Sequence, residues 1–425
     1  MKQYNILDYG ARADGNLHTV SIQSAIDDCF RNGGGEVVVP AGTYRTGTIR
    51  LRSHMTLRLL PGAVLEASRD RQDYDHFFDD ATDPVPREPD KAFPSLKKDP
   101  WGLALILCYG AQDVRIVGEA GALIDGKNSY FPNGEEGYRG AHAIMIAHCK
   151  NVELSGYTVR DSGNWAHICA FSENLYVHDI KVLAGHDGFH MRMSRNLLIE
   201  HCEFYTGDDC VAGFGVDGAV VRDCVLNSAC SLFRLGGRNI LIDHCHGFGP
   251  GVFGHRWKMA DEDKIAGAPT NETHRNNTLT VFLYFCCAGA PLPTPENVVI
   301  QNCTFDGVDQ FLNDSFGKGG EVWCCNRNLH DITVRNCRVT NLAIPSLVLA
   351  SDEEPTDIRI EDSEISMRRG RETTQFLNTS ACREIFLRNV RFGGFADTPT
   401  IRVAAHGDTS VTTPDCENIR VVRGE

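Results

Sequence analysis

Short apolar stretches with alternating polar positions recur along most of the chain. Each copy starts with Asn, Asp or Gly, continues as an apolar-x-apolar strand and often ends in Cys. The clearest copies begin at Asn196, Gly218, Asn239, Asn297 and Asp331. From Asn151 to Asn239 the copies follow one another at intervals of 23, 22, 22 and 21 residues. A period of this length is typical of stacked strand-and-turn coils, because one coil cannot bury its apolar face alone. We therefore predict an all-β fold, a right-handed parallel β-helix.

The repeat predicts a single domain over residues 1–425. Residues 1–68 are expected to form an N-terminal cap and the first coils. The cap is predicted to be a short helix, because Val20, Ile22, Ala25, Ile26 and Phe30 recur at near-helical spacing. A buried strand is predicted at Val37–Val39. Residues 69–100 carry five prolines and predict a long loop. Residues 101–425 are expected to be stacked coils with a long insertion at about 260–295, since the copies at Asn239 and Asn297 are 58 residues apart.

The 17 cysteines are interpreted as packing residues rather than disulfides or metal ligands. The number is odd, no CxxC pair occurs, and no apolar leader indicates an oxidising compartment. Cysteines instead occupy one slot of the repeat, which Ser363 and Val390 fill in later coils. Exchange among these side chains predicts an interior column. Its cysteines are Cys202, Cys224, Cys245, Cys303 and Cys337.

Net charge and apolar content limit the kinds of molecule that this protein is expected to bind. The formal net charge is −14, which argues against nucleic acid and makes a local Arg or Lys cluster a candidate anion site. The sequence contains no run of 18 apolar residues, so no membrane-spanning helix is predicted. The first residues lack the apolar segment of a secretory signal, so the expected location is cytoplasmic unless a leader has been removed. No cofactor and no metal are expected, and an oligomer is a possibility that the sequence leaves open.

Three carboxylates carry the predicted chemistry. Asp187 and Asp209 are 22 residues apart, which is one coil, and strands in neighbouring coils lie about 4.8 Å apart. Asp208 adjoins Asp209, so all three are expected on one patch if Gly207 permits a bulge or turn. Carboxylates held this close raise one another's pKa, which equips a site for acid–base cleavage of a glycosidic bond. A calcium site is the structural alternative.

Three segments resemble glycoside hydrolase family 28, the polygalacturonase-like enzymes. They are residues 47–65, residues 114–126 and the TGDDC motif at 206–210, whose distance from Asp187 is similar to the family's Asn-x-Asp spacing. The resemblance implies that Asp208 is the general acid. It also implies that Asp187 and Asp209 activate the attacking water, with inversion at the anomeric carbon.

The resemblance also implies substrate-binding residues. Arg256 and Lys258 match the family's Arg-x-Lys, which would hold a substrate carboxylate, and Trp165 and His167 resemble its aromatic and His upstream of the site. The chain departs from the family twice: Gly185 replaces an Asn, and Ala229-Cys230 replaces a His-Gly pair. His186, His190 and Arg234 could compensate for the missing His and are candidate substrate-binding residues. Arg234, Arg238, Arg256 and Lys258 would line the site with positive charge for an anionic substrate.

The predicted function is inverting hydrolysis of uronic-acid-containing pectic chains or oligosaccharides. The loops at 69–100 and 260–295 would favour exo action by closing one end of the cleft. Two alternatives share the fold. A polysaccharide lyase would need a base beside a charge-neutralising cation, and a non-catalytic carbohydrate-binding solenoid would need no catalytic carboxylate.

Overall fold

The structure is a computed structural model that describes residues 2–76, 101–131, 139–254, 276–286, 293–316, 327–404, 409–416 and 419–424. The chain divides into two units: residues 1–208 with 253–275, and residues 209–252 with 276–425. In the described ranges, no helix is long and apolar enough to cross a membrane.

Unit 1 is built from short parallel strands and one α-helix, α1 (Thr19–Arg31). The strands are β1 (Gln3–Asn5), β2 (Gly35–Val39), β3 (Gly42–Thr46), β4 (Ile49–Leu51), β5 (Met55–Leu59), β6 (Ala63–Ala67), β7 (Ala104–Tyr109), β8 (Gln112–Gly118), β9 (Leu123–Asp125), β10 (His142–Ala147), β11 (Lys150–Ser155), β12 (Thr158–Arg160), β13 (His167–Ala170), β14 (Glu173–His178), β15 (Lys181–Ala184), β16 (Phe189–Arg192), β17 (Arg195–Glu200) and β18 (Glu203–Thr206). Two 3₁₀ turns span Ile6–Tyr9 and Arg71–Asp73.

The coils of unit 1 stack their strands into three parallel ladders. The ladders run β2–β5–β8–β11–β14–β17, β4–β7–β10–β13–β16 and β3–β6–β9–β12–β15–β18. The pairing of β15 with β18 sets Ala184 opposite Thr206, a separation of 22 residues. The predicted one-coil offset is therefore the observed register up to the residues that precede Asp208.

Unit 2 repeats the same three-ladder arrangement. Its strands are β19 (Val211–Arg222), β20 (Val225–Ser228), β21 (Ser231–Asp243), β22 (His246–Phe248), β23 (Thr280–Tyr284), β24 (Glu296–Gln301), β25 (Thr304–Asp306), β26 (Gln310–Asp314), β27 (Asp331–Arg335), β28 (Arg338–Leu342), β29 (Ser346–Leu349), β30 (Thr356–Glu361), β31 (Glu364–Met367), β32 (Gln375–Ser380), β33 (Cys382–Arg388), β34 (Arg391–Gly393), β35 (Thr400–Val403), β36 (Ser410–Thr412) and β37 (Arg420–Arg423). The long strands β19 and β21 each pair in two ladders, with a register shift between Gly213 and Val216.

Both the backbone conformation and the side-chain hydrogen bonds explain why Asn recurs at the start of the repeat. Asn151, Asn174 and Asn196 all have positive φ, near 56°, a conformation that Asn tolerates better than most residues. Their amides also form a ladder, since Asn174 donates to Asn151 at 2.9 Å and Asn196 donates to Asn174 at 3.1 Å. In unit 2, Asn297 donates to Asn239 at 2.9 Å in the same way.

The predicted interior column is confirmed in both units. Cys202 is 1% exposed in unit 1, and Cys303, Ser363 and Val390 are equally interior in unit 2. The thiols do more than fill space: Cys303 Sγ donates to the Gln301 carbonyl at 2.9 Å, as Ser363 Oγ does to Glu361 at 2.7 Å. All 14 cysteines in the described ranges are free thiols.

The predicted helix is present, but its buried face was partly misassigned. Ile22, Ala25, Ile26 and Cys29 are fully buried, and α1 packs on β1, β2 and β4 at the first coil. Val20 is 81% exposed and Phe30 48% exposed, because they fall outside the stripe that the spacing 22–25–26–29 defines. The predicted strand at Val37–Val39 is confirmed as part of β2.

Both predicted long excursions lie mostly outside the described residues. For the loop at 69–100 the structure describes residues 69–76, and for the insertion at 260–295 it describes residues 276–286 and 293–295. The proposal that they close a cleft therefore stays a prediction, as does the single-domain assignment.

Candidate active site

In unit 1, Asp187 lies buried between β15 and β16 and contacts a histidine. Its side chain is 0% exposed, and Oδ2 is 2.7 Å from Nδ1 of His190, which is itself 2% exposed. The backbone carbonyl of Asp187 accepts from the Ala166 amide at 2.9 Å. A carboxylate removed from water needs such partners, because burial without them opposes its charge.

His190 stacks on Trp165, which the sequence also singled out. The two rings are 3.8 Å apart and inclined by 4°. Arg192 donates from Nε to Nε2 of His190 at 3.4 Å, and its guanidinium carbon lies 5.0 Å from the Trp165 ring centre. His190 and Arg192 share a face of β16, since they are two residues apart on one strand. Trp165 is 5% exposed, so its ring packs against His190 and offers little surface on which a sugar could stack.

A second arginine contacts the residue that precedes Asp187. Arg139, 5% exposed, donates from Nη1 to Asn164 Oδ1 at 3.0 Å and to His186 Nδ1 at 3.3 Å. Its guanidinium carbon lies 5.0 Å from the ring centre of Trp101. His186 is fully buried. Arg139 therefore ties the loop before β10 to the segment that carries Asp187.

Two further buried histidines are held as neutral rings. Burial lowers the pKa of His142 to about 3, with the charges of Arg192 and Arg139 acting in the same direction. Burial also lowers the pKa of His167 to about 4. His167 contacts the Gly188 carbonyl at 3.0 Å and the Tyr157 hydroxyl at 3.1 Å, and it is 1% exposed. It supports the backbone next to Asp187 from the interior.

Asp208 lies in a bend, as the glycine before it predicted. Gly207 and Asp208 follow β18 outside any regular strand, and Thr206 Oγ1 donates to the Asp208 carbonyl at 2.6 Å. The Gly207 amide donates to Ala184 at 2.9 Å. A Cβ at Gly207 would come within 2.4 Å of the Gly254 carbonyl and 2.5 Å of the Gly185 carbonyl, so only glycine fits this approach. Asp208 is half-buried and is the most accessible of the three carboxylates.

In unit 2, Asp209 is 1% exposed and forms an ion pair with Arg234. Arg234 Nε donates to Asp209 Oδ2, and the Ser231 amide donates to Oδ1 at 3.1 Å. The guanidinium carbon of Arg234 lies 4.3 Å from the Phe285 ring centre. Cys230 Sγ lies within 4.8 Å of an Asp209 carboxylate oxygen. At this coil, Arg234 supplies the positive charge beside the carboxylate.

Arginine and lysine side chains were predicted to bind the anionic substrate, and the structure describes only some of them. Arg256 and Lys258 lie outside the described residues, so their role stays a prediction. Arg234 contacts Asp209 and Arg238 contacts Asp217, at 2.6 Å for the second pair. Both guanidiniums therefore neutralise carboxylates of the protein itself.

Sequence comparison supports the resemblance drawn from the motifs. Residues 97–221, which include all three aspartates, match the family model "Glycosyl hydrolases family 28". A probable polygalacturonase from Vitis vinifera is 30% identical over 223 residues, which cover 49% of this chain and 43% of that protein. An exo-poly-alpha-D-galacturonosidase from Dickeya chrysanthemi is 27% identical over 267 residues, which cover 51% of this chain and 43% of that protein. The resemblance to family 28 is confirmed.

The matched regions span less than half of each of these two relatives. Among solved structures, the family 28 exopolygalacturonase of Yersinia enterocolitica superposes with a TM-score of 0.70 at 18% identity, over 97% of this chain and 78% of that one. At that identity the likeness concerns the fold, and the predicted right-handed parallel β-helix is confirmed.

Four residues of the unit 1 site were not predicted from the sequence: the half-buried Trp101 and the buried Arg139, His142 and Arg192. Spacing could have found two of them. His142 precedes Trp165 by 23 residues, and β10 pairs with β13 at that offset. Arg192 is two residues beyond His190 on the same strand. The other two precede β10, where no repeat copy sets the spacing.

Proposed function

We propose that this protein is an inverting glycoside hydrolase that cleaves glycosidic bonds in pectic galacturonan or its oligosaccharides. The observation that carries the proposal is the family 28 match over residues 97–221, which includes Asp187, Asp208 and Asp209. The names of the relatives, a probable polygalacturonase and an exo-poly-alpha-D-galacturonosidase, support galacturonan as the substrate class.

The proposed reaction assigns one role to the accessible carboxyl and another to the buried ones. Asp208, half-buried in its bend, donates a proton to the glycosidic oxygen as the bond to the anomeric carbon breaks. A water attacks the opposite face of that carbon, and its proton passes to Asp187 or Asp209. The products are a sugar hemiacetal of inverted configuration and a shortened chain that carries the freed hydroxyl.

The basic partners of the buried aspartates suit this assignment. His190 contacts Asp187 and Arg234 contacts Asp209, and donors beside a buried carboxylate favour its ionised form. An ionised carboxylate is the form that can accept a proton from water.

The test is a product analysis on galacturonan oligosaccharides labelled at the reducing end. Wild-type protein is expected to release unlabelled monomer or dimer if it acts from the non-reducing end, and mixed lengths if it cuts internally. Asp208→Asn is expected to lower kcat by orders of magnitude with KM little changed. Asp179→Asn, an exposed carboxylate of unit 1, is the matched control and is expected to keep full activity.

The same samples distinguish the two alternatives. A lyase would give an unsaturated product that absorbs in the ultraviolet and would lose activity with a chelator. A binding solenoid would retain oligosaccharides with no change in their length, and Asp208→Asn would bind as wild type does. Either result would overturn the hydrolase proposal.

A further inference from the structure

We propose that Arg192 and His190 are positioning residues for Asp187: Arg192 fixes the tautomer of His190, and His190 in turn orients the carboxylate. The inference rests on the proposed hydrolase function, in which Asp187 accepts a proton from water. All of the groups concerned belong to unit 1 and to the described residues.

The hydrogen-bond directions follow from the chemistry of the side chains. A guanidinium has N–H donors and no acceptor. Because Arg192 Nε faces His190 Nε2 at 3.4 Å, that ring nitrogen must carry the lone pair. The single proton of the neutral imidazole therefore lies on Nδ1, which donates to Asp187 Oδ2 at 2.7 Å. Without the arginine, either ring nitrogen could hold the proton.

Trp165 fixes the plane in which this hydrogen bond is made. The indole lies 3.8 Å from the His190 ring and almost parallel to it. The guanidinium carbon of Arg192 lies 5.0 Å from the centre of the same Trp165 ring, which is within cation–π range. The imidazole is thus fixed at its face by the tryptophan and at two ring nitrogens by Arg192 and Asp187.

The contact with Arg192 favours a neutral His190 over an imidazolium. Arg192 is 8% exposed and Arg139 is 5% exposed, so two guanidiniums already lie in the interior around Asp187. Asp187 alone would attract a positive charge on His190, but an imidazolium would also carry a proton on Nε2, directly facing the Nε–H of Arg192. Asp187 therefore receives a neutral N–H donor, which orients the carboxylate while leaving it basic.

The first experiment reads the tautomer directly and needs no substrate. Protein labelled with ¹⁵N-histidine is examined by NMR at pH 7, and the His190 signals are identified as those lost in His190→Asn. The wild type is expected to show a protonated Nδ1 and an unprotonated Nε2. Arg192→Gln is expected to change the His190 nitrogen shifts, whereas Arg195→Gln, at an exposed arginine paired with Glu173, leaves them unchanged. A wild-type His190 protonated on Nε2, or on both nitrogens, would overturn the proposal.

The second experiment separates positioning from folding and from substrate binding. Arg192→Lys keeps the charge but loses the Nε donor, and it is expected to lower kcat about 10- to 100-fold with KM within about twofold. His190→Asn keeps an N–H near the Nδ1 position and is expected to retain more kcat than His190→Ala. Thermal unfolding of each variant checks the fold.

Three results bear on this second experiment. Unchanged kcat in Arg192→Lys, or a rise confined to KM, would overturn the positioning role. A wild-type protein that cleaves no galacturonan would overturn the proposed function instead, while the tautomer measurement would still decide whether Arg192 sets His190.

Discussion

The ion pair between Arg234 and Asp209 allows the contribution of a buried charge pair to the stability of unit 2 to be tested. Asp209 is 1% exposed and Arg234 16% exposed. Removing one partner of a buried pair leaves an uncompensated charge and typically costs about 3–5 kcal/mol. Since the Ser231 amide still donates to Asp209, we expect Arg234→Ala to lie at the lower end, about 3 kcal/mol.

The same strand supplies a matched control. Arg238 also lies on β21 and pairs with an aspartate, Asp217, at 2.6 Å. That pair is 40% and 33% exposed, so solvent screens it and its contribution is about 0–1 kcal/mol. Arg238→Ala therefore removes the same kind of side chain from the same strand, at a site that is more exposed and that lacks the Phe285 contact of Arg234.

Hydrogen exchange followed by mass spectrometry measures the local effect on β19 and β21. A loss of about 3 kcal/mol corresponds to roughly 100-fold faster exchange in peptides over Val211–Arg222 and Ser231–Asp243. Arg238→Ala should change the rate less than about fivefold. Adding Asp209→Asn to Arg234→Ala should restore part of the protection by removing the orphaned charge. Exchange in Arg234→Ala within about fivefold of wild type would refute the reasoning.

Four further predictions test other parts of the account. Gly207→Ala should lower kcat about 100-fold by displacing the bend at Asp208, whereas Gly393→Ala, whose Cβ would meet only Ser366 at 3.4 Å, should not; steady-state kinetics compares them, and equal activities would contradict the account. Asn174→Ala should lose about 2 kcal/mol in thermal unfolding, from two amide hydrogen bonds and a φ of 57°, and Asn174→Gly should lose less because glycine tolerates that φ. Cys303→Ser should unfold at a higher temperature than Cys303→Ala, because the hydroxyl keeps the donor to Gln301; the reverse order would reduce the column to packing alone. Burial raises the pKa of Asp314 to about 7, so its contribution to stability is full below about pH 4 and is lost as the pH rises through 7; Asp314→Asn should flatten that fall in melting temperature between pH 4 and pH 8.

The fold followed from the sequence because each coil repeats one local solution. A positive φ at Asn151 and its successors, and a small or apolar interior side chain, often a thiol, two residues beyond the strand, are needed once per coil and so appear at a fixed period. The face of α1 was less well predicted, because Val20 and Phe30 are apolar but occur once, where no repeat could show which side is buried.

The site was predictable where its residues obey the coil period. The 22-residue offset between β15 and β18 was predicted, as was the bend after Gly207. His190 was a candidate because it lies one or two coils from the position of the missing family His. Trp101 and Arg139 were missed because irregular segments carry them to Trp165 and His186. No spacing in the sequence encodes those contacts, which depend on the packing of segments between coils.

Proton NMR of the anomeric region during incubation with galacturonan oligosaccharides tests the central claim most directly. The account predicts that the first product signal belongs to the inverted anomer, that mutarotation follows, and that Asp208→Asn gives neither. A first product that retains its configuration would contradict the assigned roles of the carboxylates. An unsaturated product, or cleavage that persists in Asp208→Asn, would contradict the proposed hydrolase itself.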